Sequence, residues 1–207
     1  GAKDANGRRQ TVHYINWDDI GSNDFYVAEE VSVLRFDKVT RKRPDVVLYI
    51  NGIALGVFEL KSSYVSAGKG IRQMLQNQKR ENILNFFSTA QFLFAGNEAE
   101  GLFYGTTDTP EKYYLNWKED KKATDELSAA VKLLQVKEVN RLRNGVISLC
   151  HKERFLSLIH DFVIYDAGIK KVTRHHQYFA NIAARKRIQD KEGGIIWNTQ
   201  GSGKSLI

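Results

Sequence analysis

Asp45, Glu59 and Lys61 are the residues whose types and spacing bear most directly on chemistry. Asp45 follows Pro44, and Glu59 and Lys61 stand fourteen and sixteen positions further on. Between them lie two almost continuously apolar runs, 46–50 and 53–58, on either side of an Asn51-Gly52 pair. Asn-Gly between apolar runs is a strong hairpin signal. Strands that do not alternate with polar residues are those covered on both faces. Charges at the ends of such strands are costly unless paired or bound to metal, which marks the trio as a candidate site. Two carboxylates can hold Mg²⁺, a hard cation that takes oxygen ligands and keeps several waters. That chemistry hydrolyses phosphodiesters: the cation stabilises charge on the phosphate and acidifies a water. Lys61 would position that water or offset the developing negative charge. The plainer alternative is a surface hairpin ending in a solvated ion pair. Glu-x-Lys alone says little; Pro-Asp, a hairpin and Glu-x-Lys closing a buried strand say more.

The geometry carries its own condition. Residues 59 and 61 are two apart on a strand and share a face. A plain two-residue turn pairs Asp45 with Phe58 and points Asp45 away from Glu59. An odd loop, with Gly52 left-handed and a bulge, restores the shared face. The sequence therefore predicts an irregularity near 51–53.

Pro44-Asp45 and Glu59-Leu60-Lys61 resemble the PD-(D/E)xK nuclease motif. The wider string from Arg43 to Gly52, through Glu59-Leu60-Lys61, resembles the motor-nuclease (R) subunit of type I restriction enzymes. The resemblance implies an α/β, restriction-endonuclease-like mixed sheet flanked by helices. It implies catalytic roles for Asp45, Glu59 and Lys61, with Mg²⁺ held by Asp45 and Glu59. It also implies double-stranded DNA as substrate, and partner specificity and methyltransferase subunits. In such an assembly, ATP-driven translocation precedes cutting. Related nucleases carry Gln-x-x-x-Tyr after the Glu-x-Lys strand. Gln73 aligns with that Gln by distance, while Asn77 stands in the Tyr position. Gln76 and Gln78 share the helix, and a merely polar helix face is the alternative. The further Glu that such nucleases draw from a helix before the Asp strand has no counterpart, because Glu29 and Glu30 fall in an expected strand.

A second signature lies at the C-terminus. Residues 193–197 are predicted to form a strand, followed by Asn198-Thr199-Gln200-Gly201-Ser202-Gly203-Lys204-Ser205. This is a phosphate-binding loop with Asn198 in place of the first Gly. Its backbone N–H groups and the following helix favour phosphate; Lys204 reaches the outer phosphates and Ser205 ligates Mg²⁺. The expected ATP contacts are Thr199, Gly201, Ser202, Gly203, Lys204 and Ser205. The string 196–206 resembles the first helicase motif of type I restriction motors. Arg174-His175-His176-Gln177-Tyr178-Phe179-Ala180 resembles the adenine-recognising helix of superfamily 2 motors, with Gln177 in the recognising position. Together these imply the first part of a P-loop (RecA-like) domain. The sequence stops two residues past Ser205, so a fragment without ATPase activity of its own is expected. His175 and His176 are adjacent and point apart on a helix, which argues against a metal site there.

The elements that must position these residues fit one sizeable core in 207 residues, with room for part of a second domain. Strands are expected over 12–17, 26–36, 91–95 and 101–106, and helices over 71–87, 127–146 and 155–163. The division expected is a polar, loose 1–11 that resembles an expression remnant, a nuclease domain 12–125, a helical linker 126–155, and the start of a motor from 156. A formal net charge of +7 and a pI near 9.4 favour a polyanionic partner. Arg41-Lys42-Arg43 is either a solvated turn or a phosphate contact beside Asp45. Cys150 is the only cysteine, so no internal disulfide forms; this suits a reducing compartment, and the resemblance implies the cytoplasm. No apolar run reaches the ~18 residues of a membrane span. Two alternatives stand: an inactive DNA-binding or docking module, and a P-loop ATPase with an unrelated N-terminal domain.

Overall fold

Asn51 and Gly52 both take left-handed φ angles, 50° and 79°. They join β6 (Val46–Ile50) to β7 (Ile53–Leu60) through a two-residue turn in which Ile50 faces Ile53. The irregularity expected at 51–53 is therefore elsewhere. Tyr49 pairs with Ala54, but Leu48 pairs with Gly56, so Leu55 is the extra residue of a bulge. The two-residue turn matches strand twist and keeps the tip regular, which leaves the change of parity to the strand interior. The computed structural model describes residues 2–3, 5–11, 13–119, 132, 140–197 and 199–203.

The hairpin lies inside a six-stranded sheet of order β10-β9-β8-β7-β6-β3. Its other strands are β3 (Phe25–Glu29), β8 (Phe92–Asn97), β9 (Gly101–Gly105) and β10 (Leu115–Asn116). β7 and β8 run parallel and every other neighbouring pair antiparallel. Helix α1 (Ala67–Asn77) makes the crossover between the parallel strands and covers one face. There Val57 and Leu93 pack with Met74, while Ala95 packs with Ile71. On the other face Phe58, Phe92, Phe94 and Tyr104 meet Phe155, Leu156 and Leu158 of helix α3 (Lys152–Phe162). Helix α2 (Arg141–Cys150) lies against β9 beside it. Cover on both faces explains the unbroken apolar runs. The fold class is α/β, a mixed sheet flanked by helices, as expected.

Leu156, taken from the sequence as the first residue of a motor, is fully buried in the cluster that covers the sheet. After α3, strands β11 (Val163–Asp166) and β12 (Ile169–Val172) form a separate hairpin, followed by α4 (His175–Gln189). The Tyr104 hydroxyl donates to the Thr173 carbonyl at 2.9 Å. Trp117, just past β10, lies 5.5 Å from Tyr178 and 5.7 Å from Phe179. The sheet edge and α4 thus share one apolar contact.

Several expected elements differ. Residues 1–11 hold two short paired strands, β1 (Ala2–Lys3) and β2 (Arg9–Gln10). Residues 13–17 form no strand, because the Asn16 side chain accepts from Asp18 and Asp19 N–H and Asn23 donates back to the Asn16 carbonyl; such local bonds compete with a ladder. The stretch 26–36 divides at Glu30, which takes a φ of 49°, into β3 and the short β4 (Val33–Leu34). α1 stops at Asn77 instead of 87. The Gln78 side chain bonds back to the Met74 carbonyl and Asn82 to the Gln76 carbonyl, which closes the helix end. A short 3₁₀ turn, Leu84–Ser88, follows. Residues 193–197 form no strand: among the described residues none pairs with them, and Trp197 is 89% exposed. Of the helix expected over 127–146, residues 127–131 and 133–139 lie outside the described residues.

Candidate functional site

The bulge at Leu55 decides the geometry of the acidic pair. Below it the register pairs Val46 with Phe58, so the next position along sets Asp45 opposite Glu59. Asp45 is tied there directly, since its Oδ2 accepts from the backbone N–H of Leu60 at 2.6 Å. Leu60 separates Glu59 from Lys61, and the Lys61 Nζ lies 2.7 Å from Glu59 Oε1. Glu59 shares the α1 face with Val57 and is 0% exposed, whereas the Lys61 side chain keeps 20% of its surface open. The site is buried on the Glu side and open on the Lys side.

Burial pushes the Glu59 carboxyl above its usual 4.5, and the nearby Asp45 charge adds to that. The Lys61 ammonium and, less strongly, the nearby Gln73 amide work the other way without overcoming burial. Glu59 Oε2 is buried without a hydrogen-bond partner. A buried unpaired carboxylate oxygen is costly, and it leaves one lone-pair site beside Asp45 for an external ligand.

Helix α1 delivers Gln73. Ser66 caps its start by accepting from Gly68 N–H at 3.2 Å, and Glu100 Oε1 accepts from Ala67 N–H at 2.8 Å. Gly70 lets the helix close on the sheet: a Cβ there would meet the Glu59 carbonyl oxygen at 3.0 Å. Gln73 is one turn further on the same side, with its amide near the Glu59 carboxylate. Gln76 is exposed, and Gln78 is engaged with Met74 and with the N–H of Asp108. Of the three glutamines, Gln73 is the one brought to the acidic pair. Asn77, in the position of the family's Tyr, is 2% exposed and packed within the helix end.

On the far side of Asp45, the N–H of Glu30 donates to the Asp45 carbonyl at 2.9 Å, while the Glu30 carboxylate stands 3.8 Å from Arg43, both exposed. Among the described residues no group of three or more His, Cys, Asp or Glu side chains gathers around one point. A cation here would rest on two carboxylates and water. The sequence concealed the Leu55 bulge, the Leu60 N–H that holds Asp45, and the tight passage at Gly70. Only Gly70 left a signal, since glycine inside a helix usually marks a close approach.

The C-terminal residues meet one another as well. The Gln177 amide Nε2 donates to the Gly203 carbonyl at 3.0 Å and stands 3.4 Å from that of Ser202, while its Oε1 accepts from Arg174 N–H. A His176 ring nitrogen lies 2.9 Å from the Ser202 carbonyl. The start of α4 therefore braces the 199–203 loop, with Gly201 and Gly203 at positive φ, 75° and 80°. Thr199 lies on this loop and its carbonyl accepts from Ser202 N–H at 3.3 Å. Lys204 and Ser205 lie outside the described residues.

Residues 2–112 match the family model described as type I restriction enzyme R protein N terminus, and residues 176–207 match one described as SWI2/SNF2 ATPase. The chain is 26% identical to the type I restriction enzyme HindI endonuclease subunit of Haemophilus influenzae, over 95% of this chain and 19% of that protein. It is 25% identical to the putative MjaIXP endonuclease subunit of Methanocaldococcus jannaschii, over 97% of this chain and 21% of that protein. It is 22% identical to the SauCOLORF180P endonuclease subunit of Staphylococcus aureus, over 89% of this chain and 18% of that protein. The chain spans about a fifth of the length of these curated relatives.

Proposed function

The chain belongs to the type I restriction enzyme R protein N-terminal family, and on that premise we propose that Asp45, Glu59, Lys61 and Gln73 form a Mg²⁺-dependent site that cuts double-stranded DNA. In the whole protein this cutting is coupled to ATP-driven translocation, and specificity and methyltransferase subunits choose the DNA. The observation that carries the reading is the buried, unpaired Glu59 Oε2 beside Asp45 and Lys61. The donor set fits a hard cation: two carboxylates, with an open side for water and phosphate.

Bound there, Mg²⁺ would offset charge on the scissile phosphate and acidify a water. The residues of the chain do the positioning. Asp45 is fixed by the Leu60 N–H, so its second oxygen, Oδ1, keeps a set direction. Lys61 holds Glu59 Oε1 and leaves its remaining ammonium protons on the open side, where they can donate to a phosphate oxygen or orient the attacking water. Gln73 stands near the Glu59 carboxylate and can offer its amide N–H there. The loop 199–203, braced by Gln177 and His176, is proposed as part of an ATP-phosphate cradle that Lys204 and Ser205 would complete.

Nicking of supercoiled plasmid with Mn²⁺ tests the cutting reading in the full-length parent protein. Asp45→Ala and Lys61→Ala should each abolish nicking while a Lys204→Ala protein keeps metal binding. Unchanged nicking by Asp45→Ala contradicts the reading.

A further inference from the structure

Strands β4 (Val33–Leu34) and β5 (Arg41–Lys42) form a small ribbon outside the main sheet, with Val33 opposite Lys42 and Leu34 opposite Arg41. From Arg35 to Arg43 it carries five cations, Arg35, Lys38, Arg41, Lys42 and Arg43, against one carboxylate, Asp37. Asp37 is spent on the tip itself, accepting from the N–H groups of Val39 and Thr40 at 2.9 Å each. Among the described residues, Arg43 is the only one of the five in an ion pair, a long and exposed one with Glu30. Excess charge of this kind attracts polyanions.

The ribbon is anchored where the acidic pair opens. Val33 packs against the cluster of Val57 and Met74, which is the sheet face that also carries Glu59. The Phe36 N–H donates to the Asn82 carbonyl at 3.0 Å, fixing the ribbon to the segment after α1, and Arg80 lies over the Phe36 ring. From Lys42 the chain runs through Arg43 and Pro44 straight to Asp45. The tip is held closed by the Arg35–Thr40 and Lys38–Arg35 backbone bonds, yet Phe36 and Val39 are left 64% and 81% exposed. A stiff basic ribbon with uncovered apolar residues at its tip, rooted beside a phosphodiester site, matches a DNA backbone. Cations meet phosphates and apolar groups lie on deoxyribose.

We propose that the β4–β5 ribbon is the DNA-gripping finger of the cutting site. Arg41, Lys42 and Arg43 hold phosphates next to the bond to be cut, and Phe36 and Val39 rest on the sugar edge. Contacts of this kind to phosphate and sugar position the duplex without reading its sequence. This rests on the cutting reading for its location, but its test needs neither metal nor cleavage.

The test is fluorescence anisotropy of a labelled mixed-sequence duplex with this 207-residue chain, in EDTA, across a potassium chloride series. The triple variant Arg41→Gln/Lys42→Gln/Arg43→Gln should lose about tenfold or more in affinity, and its log–log salt slope should fall by about two to three. A control that removes three exposed cations elsewhere, Arg141→Gln/Lys152→Gln/Lys191→Gln, should bind within about twofold of wild type. Val39→Ser should weaken binding several-fold without changing the slope. Thermal unfolding checks that each variant is folded. If the triple variant is not, Lys38→Gln/Arg80→Gln carries the same expectation with a smaller change of slope. Wild-type affinity in the ribbon variants, an equal loss in the control, or a wild-type chain that does not hold the duplex at low salt overturns the proposal. An Asp45→Ala chain that binds in EDTA yet supports no metal-dependent nicking leaves the finger standing. The converse, nicking intact with ribbon variants binding normally, removes the finger and spares the site.

Discussion

The carboxylate of Asp45 accepts a hydrogen bond from the backbone N–H of Leu60, the residue between Glu59 and Lys61. The side chain just before β6 is thereby fixed to the backbone at the end of β7, where the other two charged groups stand. The trio is held by backbone as well as by charge, so its parts separate experimentally.

Asp45→Asn keeps an oxygen for the Leu60 N–H and removes the charge. Its unfolding free energy should stay within about 1 kcal/mol of wild type, while Asp45→Ala leaves that N–H without its partner and should cost about 1 kcal/mol more. Both should lose divalent-ion affinity by about tenfold or more. Chemical denaturation and calorimetric titration measure the two effects. Equal metal affinity in wild type and Asp45→Asn would remove Asp45 from the cation site.

Glu59 carries a pH signature. Its carboxyl titrates above 4.5 in the folded chain because burial disfavours the charged form. A raised folded value means that its stabilising contribution is complete below the unfolded value and is lost as pH rises through the folded one. Glu59→Gln should therefore be more stable than wild type near neutral pH by about 1 kcal/mol, the cost of keeping a functional charge. The difference should shrink as pH falls toward 4.5. Thermal melts of both chains over that range provide the check. Saturating Mg²⁺ should raise only the wild type.

The three glutamines near α1 should part company. Gln73→Ala should lower nicking by about tenfold or more with little change in stability, since of the three only this amide lies near Glu59. Gln76→Ala, on an exposed position, should do neither. Gln78→Ala should cost about 1 kcal/mol or more of stability through its bonds to Met74 and Asp108, without a direct effect on cutting. Plasmid nicking beside denaturation curves sorts them.

Phe155 tests whether α3 is part of the sheet's core. It is 3% exposed and lies 5.9 Å from Phe92 and 6.4 Å from Phe94. Phe155→Ala should cost about 3–5 kcal/mol of stability, read by urea unfolding of the whole chain. A loss under about 1 kcal/mol would show that α3 and the sheet fold separately.

The hairpin, the crossover helix and the strands at 92–97 and 101–105 were legible because their apolar runs and the Asn51-Gly52 turn are local signals. The need for one extra residue between Asp45 and Glu59 was legible too, from parity alone. Its place was not: a bulge at Leu55 depends on how two strands settle between helices, and a leucine gives no sign of it. The loop at 13–17 looked like a strand because alternation is visible in sequence, while the mutual bonds of Asn16 and Asn23 depend on a turn that brings them together. The end of α1 was hidden for a similar reason, since Asn82 and Gln78 act on carbonyls that a helical pattern assigns to solvent. The residue types of the candidate site were plain; the backbone N–H that holds Asp45 has no residue type to announce it.

The proposed cutting site requires Asp45 and Glu59 to share one divalent cation. Crystals of the chain grown with Mn²⁺ and measured at the manganese absorption edge test it most directly. An anomalous peak is expected between the Asp45 carboxylate and Glu59 Oε2, and it should disappear in Glu59→Gln crystals. A well-ordered site without that peak, at a manganese concentration that saturates binding in solution, would contradict it.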